Sequence, residues 1–228
     1  MSIDKLIECA YEFTEPSFIT FVSPGEKSML KVAVILGSTR PGRNGEAVAR
    51  WVYDMAKKRG DNNSVDFEYI DIKDFNLPLL DEPVPPSQGK YSKVHTKAWS
   101  VKINSFDAFI FVTPEYNHGI PGTLKNAIDF LYREWNNKAA GFVSYGSAGG
   151  LRSVEQLRLV MAELQIADVR AQVTLSLFTD FENFTKFKPA AYHEKSFNEM
   201  LDQVIAWGKA LEALRTGKLA HYSSAPAS

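Results

Sequence analysis

Short apolar runs that stop abruptly at glycine or proline, each followed by apolar residues at helical spacing, constrain this chain more than any other feature. Val32-Ala33-Val34-Ile35-Leu36 stops at Gly37, and Val48, Trp51, Val52 and Met55 then recur with a helical period. A run without polar alternation suits a strand covered on both faces, as in a parallel sheet. The alternation repeats. Val65 to Ile72 is expected as the second strand, Ala108 to Val112 as the third, Ala140 to Ser144 as the fourth and Val169 to Leu177 as the fifth. Between them, helices are expected over Ser92 to Ser105, over a segment from Pro121 marked by Leu124, Ala127, Ile128, Leu131 and Trp135, and over Leu151 to Leu164. A last helix carries Phe197, Met200, Leu201, Val204, Ile205, Leu211 and Leu214. Five strands alternating with helices predict an α/β fold with a mainly parallel, doubly wound sheet. Ligands of such sheets bind outside the carboxyl ends of the strands, so the loops after strands one, three and four are where chemistry is expected.

At 228 residues the chain suits one domain with appendages. Residues 1–30 lack a clear period and read as an N-terminal extension; residues 31–215 carry the pattern; residues 216–228 read as a flexible tail. A net charge of -1 gives no bulk attraction for nucleic acid. The one cysteine, Cys9, excludes an internal disulfide and sits in acidic company that disfavours a thiolate. With no apolar run of membrane-spanning length and no secretory signal pattern, the expected location is the cytoplasm.

The first loop reads Gly37-Ser38-Thr39-Arg40-Pro41-Gly42-Arg43-Asn44-Gly45. Its glycines let backbone approach a ligand, and the helix expected to begin near Gly45 would aim free N–H groups and its positive dipole end at the loop. Ser38, Thr39 and Asn44 add short donors, while Arg40 and Arg43 add forks that match phosphate oxygens. The spacing nearly matches a nucleotide-triphosphate loop, but Arg43 replaces the lysine and Asn44 the metal-binding hydroxyl. A triphosphatase is therefore disfavoured, and the dinucleotide G-x-G-x-x-G pattern is absent.

The third loop, Thr113-Pro114-Glu115-Tyr116-Asn117-His118-Gly119-Ile120-Pro121-Gly122, offers an aromatic face and backbone donors able to read a ring of alternating N and C=O groups. The fourth, Ser144-Tyr145-Gly146-Ser147-Ala148-Gly149-Gly150, lets backbone come close to a flat object. A phosphate cradle with two aromatic, Gly-rich loops describes a flat heterocycle carrying one phosphate, such as FMN.

On Leu36-Gly-Ser-Thr-Arg40, Pro114-Glu-Tyr-Asn117, Leu124-Lys-Asn-Ala-Ile-Asp129 and Ser144-Tyr-Gly146 with Gly149-Gly150, the chain resembles the NADPH-dependent FMN reductase-like flavoproteins, which include quinone, azo and chromate reductases. The match runs from Lys31 to about Ala210. The resemblance implies a flavodoxin-like three-layer fold with strand order 2-1-3-4-5, non-covalent FMN, NADPH or NADH as co-substrate, and a homodimer or homotetramer. It implies that Ser38, Arg40 and the backbone at Asn44 and Gly45 hold the FMN phosphate. Glu115, Tyr116 and Asn117, following Pro114, would line the isoalloxazine, with Ser144, Tyr145 and Gly146 beside it. It also implies hydride transfer from NAD(P)H through the flavin to a quinone, free flavin, azo compound or metal oxyanion in a two-step exchange that needs no side-chain nucleophile. The alternatives are an electron-transfer or redox-sensing flavodoxin-like protein acting through a protein partner, and less strongly a P-loop-type nucleotide binder.

Other residues have two readings. His118 is either a loop residue or a proton donor. Lys125 and Asp129 form either a solvated helix pair or a cross-subunit bridge. Phe178, Phe181, Phe184 and Phe187 recur every three residues and are expected to pack, in part over a neighbouring subunit, with a role covering the flavin as the weaker alternative.

Overall fold

A computed structural model describes residues 29–59 and 64–217. Cys9, nearly all of the expected N-terminal extension and most of the expected tail lie outside the described residues. The elements in order are β1 (Leu30–Leu36), α1 (Gly45–Arg59), β2 (Val65–Asp71), α2 (Val94–Asn104), β3 (Ala108–Pro114), α3 (Gly122–Asp129), β4 (Lys138–Gly146), α4 (Leu151–Glu163), β5 (Ile166–Ser176), the short strands β6 (Phe181–Glu182) and β7 (Lys186–Phe187), and α5 (His193–Arg215). Three single-turn 3₁₀ helices lie at Ile72–Phe75, Pro86–Gln88 and Arg133–Trp135.

The main sheet has the order β2-β1-β3-β4-β5, and every pair in it is parallel. This is the flavodoxin-like arrangement expected above. The continuous apolar runs fall on the three central strands, and β3 and β4 are buried along their whole lengths. The outer strands alternate instead, because one side of each is open. Val32, Val34 and Leu36 face Val48 and Val52 of α1 and Met200, Leu201 and Val204 of α5. Ala33 and Ile35 face Trp99 and Ile103 of α2, Leu124 and Ile128 of α3, and Leu157 and Met161 of α4. Two helices therefore cover one face and three the other.

The helix after β3 is shorter than its apolar spacing suggests. It ends at Asp129, although Leu131 and Trp135 continue the pattern and are buried. Two indoles explain the stop: Trp99 Nε1 donates to the Ala127 carbonyl at 2.7 Å, and Trp135 Nε1 donates to the Ile128 carbonyl at 3.1 Å. These bonds occupy carbonyls of the last turn, where the helix ladder runs out; the Ile128 carbonyl also takes the Leu131 N–H at 3.2 Å. The segment of spaced phenylalanines, Phe178 to Phe187, contains the β6–β7 hairpin, in which Phe181 pairs with Phe187. Its four phenylalanines divide. Phe181 is buried and Phe187 packs on Trp51, whereas Phe178 and Phe184 are exposed and meet each other edge to face at 5.6 Å.

Candidate functional site

Parallel pairing brings all the carboxyl ends to one edge of the sheet. Leu36 lies opposite Asp71 on one side and Val112 on the other, and Pro114 lies opposite Tyr145. The loop from Gly37 to Asn44 is thus flanked by the end of β2 and by the loops after β3 and β4. Gly37 anchors it by donating its N–H to the Val112 carbonyl at 2.9 Å. The first-turn N–H groups of α1 open toward the loop and lack partners within the helix.

The two arginines offered by the sequence as phosphate forks have different places. Arg40 is exposed at the tip of the loop. The Arg43 side chain is only 4% exposed, and its guanidinium faces inward. Nε donates to Glu46 at 3.0 Å. Nη1 donates to the Ser38 carbonyl and, at 3.0 Å, to Asp71. Nη2 donates to Glu46 at 2.7 Å and to Asp71. A guanidinium has five N–H donors, and all five are engaged. Burial alone would weaken the charge, but the hydrogen bonds to Asp71 and Glu46 outweigh it and hold the Arg43 pKa above the ordinary arginine value. Arg43, offered by the sequence as a phosphate fork, thus spends its donors on the protein and braces the loop against β2. This engagement also removes the inner cation that a nucleotide-triphosphate loop would aim at its ligand. Asn44 is engaged as well, its side-chain amide donating to the Phe184 carbonyl at 2.7 Å and tying the loop to the β6–β7 hairpin.

The loop after β3 is a tight projection. Tyr116 and Gly119 exchange backbone hydrogen bonds at 3.2 and 3.0 Å around Asn117 (φ 49°) and His118 (φ 65°). Two consecutive positive φ values make a two-residue hairpin turn, a conformation Asn tolerates better than most residues. From α4, Gln156 holds the turn, donating to the His118 carbonyl at 2.8 Å and accepting from the Ile120 N–H at 3.3 Å. Tyr116, Asn117 and His118 are exposed on it. The Tyr116 hydroxyl meets the Ser38 hydroxyl at 3.0 Å, joining this turn directly to the first loop.

Glu115 is nearly covered. It accepts the Arg152 backbone N–H at 3.0 Å and pairs with the Arg152 guanidinium. A carboxylate at the first turn of α4 is favoured by the helix dipole, so Glu115 locks the third loop to the fourth. Ser144 also works inside the scaffold, donating its hydroxyl to the Gly149 carbonyl at 2.6 Å. Gly150 sits at φ +73°, and a Cβ there would lie 2.8 Å from the Ser144 Cβ and 2.9 Å from the Tyr145 nitrogen. That turn admits glycine alone.

The sequence places Tyr145 beside a flat ring, and its backbone lies at the strand-end edge opposite Pro114. Its side chain points to the α1 face, where it belongs to the core with Val48 and Phe181. Among the described residues its hydroxyl has no partner within 3.5 Å, although the Ser38 hydroxyl lies near enough to act on its pKa, and the phenol oxygen lies 2.4 Å from where a Cβ of Gly45 would stand. Burial and the neighbouring Tyr116 phenol push its pKa up, so the group is a neutral O–H at physiological pH.

Ser38, Arg40, Gly45, Tyr116, Asn117 and Gly146 thus converge on one strand-end edge, with Pro114, Glu115, Asn44, Arg43 and Ser144 positioning them. The convergence suits a phosphate held at the start of α1 and a planar group near the Tyr116–Asn117 turn. Asp71, Gln156 and Arg152 have no signal in the sequence as parts of this site; an acid at the end of strand two was the only available hint. Lys125 pairs with Asp129 inside α3 at 2.6 Å.

Comparison with known proteins points the same way. The family model described as NADPH-dependent FMN reductase matches residues 30–180. The NAD(P)H-dependent FMN reductase ntnL of Nectria sp is 42% identical over 160 residues, covering 67% of this chain and 79% of that protein. The Escherichia coli K12 quinone reductase is 35% identical over 141 residues, covering 59% and 71%. Among solved structures, the flavoenzyme NAD(P)H:(acceptor) oxidoreductase FerB of Paracoccus denitrificans superposes with a TM-score of 0.63 at 19% identity, covering 80% of this chain and 98% of that one, a likeness of fold.

Proposed function

The chain belongs to the NADPH-dependent FMN reductase family, and from that premise we propose that it is an FMN-dependent NAD(P)H oxidoreductase acting on a quinone, free flavin or similar small acceptor. The observation that carries the reading is the 3.0 Å contact between the Ser38 and Tyr116 hydroxyls. It makes the anion-suited loop and the exposed Tyr116–Asn117 turn one continuous site, as a planar ring with a phosphate tail requires.

When bound, FMN would supply the two-electron chemistry, accepting hydride from NADPH or NADH and passing electrons on. The protein binds and orients. Arg40, the Ser38 hydroxyl and the N–H groups at Asn44 and Gly45 hold the phosphate. The turn at Tyr116 and Asn117 borders the ring and leaves its outer side open to the co-substrate and then the acceptor. Glu115, through Arg152, and Ser144, through Gly149, keep the surrounding loops in place before any ligand arrives, so little reorganisation is needed on binding. Neither half-reaction needs a side-chain nucleophile.

The reading includes residues 31–215 as the flavin-binding unit, a cytoplasmic location and a homodimer or homotetramer. A single cysteine in the whole sequence supports a reducing compartment. Exposed Leu79, Leu80 and Val94, carried on one stretch of chain, supply apolar surface for a second copy. No described helix is long and apolar enough to cross a membrane.

The test is a visible spectrum of the purified protein, followed without oxygen by NADPH and then a benzoquinone. A flavin spectrum that bleaches with NADPH and returns with quinone is expected. Failure to take up FMN would overturn the proposal, and flavin that binds but is not reduced by NADPH or NADH would favour an electron-transfer protein instead.

A further inference from the structure

We infer that Gln156 is a positioning residue for the flavin ring: its side-chain amide holds His118 in a left-handed conformation and so fixes the tip of the Tyr116–Asn117 turn in the form that meets the ring. The inference rests on the flavin-binding reading above, and adds to it a residue of α4 that lies outside the three strand-end loops.

The turn divides into a clamped leg and a free tip. Gly119 donates its N–H to the Tyr116 carbonyl at 3.0 Å and accepts the Tyr116 N–H at 3.2 Å. Each of the two peptides that flank Gly119 then has one polar group left, the His118 carbonyl and the Ile120 N–H. Gln156 takes both, donating from Nε2 to the first at 2.8 Å and accepting at Oε1 from the second at 3.3 Å. Only one orientation of the amide does this, because a carbonyl can only accept and an N–H only donate. Gly119 leaves the room: a Cβ there would stand 3.0 Å from Oε1. The tip keeps the Asn117 N–H, the Asn117 carbonyl and the His118 N–H without partners among the described residues. Donor, acceptor and donor in that order complement the carbonyl, N–H and carbonyl along one edge of an isoalloxazine.

The clasp has a conformational reason. Asn117 and His118 stand at φ 49° and 65°. Asparagine accepts that region readily, whereas a histidine Cβ crowds the carbonyl that follows it. That carbonyl is the one Gln156 holds. The bias against a left-handed residue is about five- to thirtyfold, and each net hydrogen bond shifts an equilibrium by about two- to tenfold. The two bonds from Gln156 are thus of the size needed to keep His118 where it stands. One turn earlier on the same face of α4, Arg152 grips Glu115. Arg152 fixes where the loop begins, and Gln156 fixes how its tip is turned. Gln156 is itself exposed, so water can replace its amide when it is removed, and the loss falls on the ligand rather than on the fold.

The experiment titrates flavin-free wild type, Gln156→Ala and the double variant Gln156→Ala/His118→Gly with FMN and with riboflavin by fluorescence, and melts each protein without flavin. Gln156→Ala should weaken both flavins by the same factor, about fivefold, because the order lost is at the ring and the phosphate loop is untouched. Its melting temperature should stay at that of wild type. Adding His118→Gly should bring both affinities back to within about twofold of wild type, since glycine takes a positive φ without steric cost. A side chain that only supported the fold would not be replaced by a glycine on another element. Unchanged affinity in Gln156→Ala would overturn the inference, as would weakening of FMN alone, failure of His118→Gly to restore binding, or a flavin-free variant that melts well below wild type. Wild-type protein that takes up neither flavin would instead refute the flavin-binding reading.

Discussion

Removing Arg43 tests whether that residue holds the loop or holds a ligand. Its side chain is 4% exposed and that of Asp71 12%, whereas Glu46 is 63% exposed. The contact with Glu46 is therefore worth little, about 0–1 kcal/mol. The contact with Asp71 behaves as a buried pair, and removing one partner of such a pair typically costs about 3–5 kcal/mol because the other charge is stranded. Asp71 keeps one bond, from the Lys73 N–H at 3.0 Å, and some access to water. The expected cost of Arg43→Ala is thus at the lower end, about 3 kcal/mol. Equilibrium urea unfolding of the flavin-free protein should show the midpoint falling by about 1 M with the slope unchanged. Asp71→Ala in the Arg43→Ala background should cost about 2 kcal/mol less than in wild type, the coupling of groups in direct contact. FMN and riboflavin should weaken together, since both need the same ordered loop. A variant as stable as wild type that loses FMN but keeps riboflavin would refute the bracing role and make Arg43 a phosphate ligand.

Two further outcomes follow from the same geometry. Gly150→Ala combines a positive φ with clashes against Ser144 and the Tyr145 backbone, and should destabilise by about 3 kcal/mol in urea titration. Gly42→Ala, at φ +65° in open space, should cost only about 1 kcal/mol, so equal midpoints for the two variants would refute the packing argument. Glu82 is the pH-sensitive case. Partial burial alone would push its carboxyl up, but the Ser92 and Lys93 backbone N–H groups, which it accepts at 2.8 and 2.9 Å, hold it at about 2. Its folded pKa lies below the unfolded value, so its contribution is present above about pH 4.5 and is lost as pH falls toward 2; after solvent screening this is about 1 kcal/mol. Glu82→Gln should flatten the acid limb of stability over that window, and parallel curves for variant and wild type would count against the capping role.

The strands, the helices and the edge of the sheet that carries the site are legible in the sequence because periodicity is a local property. A buried strand needs an unbroken apolar run whatever lies beside it, and Val32 to Leu36 or Ala108 to Val112 states that without any knowledge of neighbours. The glycines and short polar residues of the three loops likewise announce close backbone approach. Partner choice is different, because it depends on residues far apart in the chain. Arg43 looks like a free phosphate fork until β2 lies beside β1 with Asp71 opposite Leu36, and only then does its charge have somewhere better to go. Leu131 and Trp135 keep the helical period, yet α3 stops before them because two indoles claim its last carbonyls. Tyr145 was expected beside a ring because its loop belongs there. Along a strand, side chains alternate between faces, and the register of β4 against β3 sends this one toward α1 and Gly45. The chain alone determined which loops meet; the sheet's register decided which side chains reach into the site and which hold it from behind.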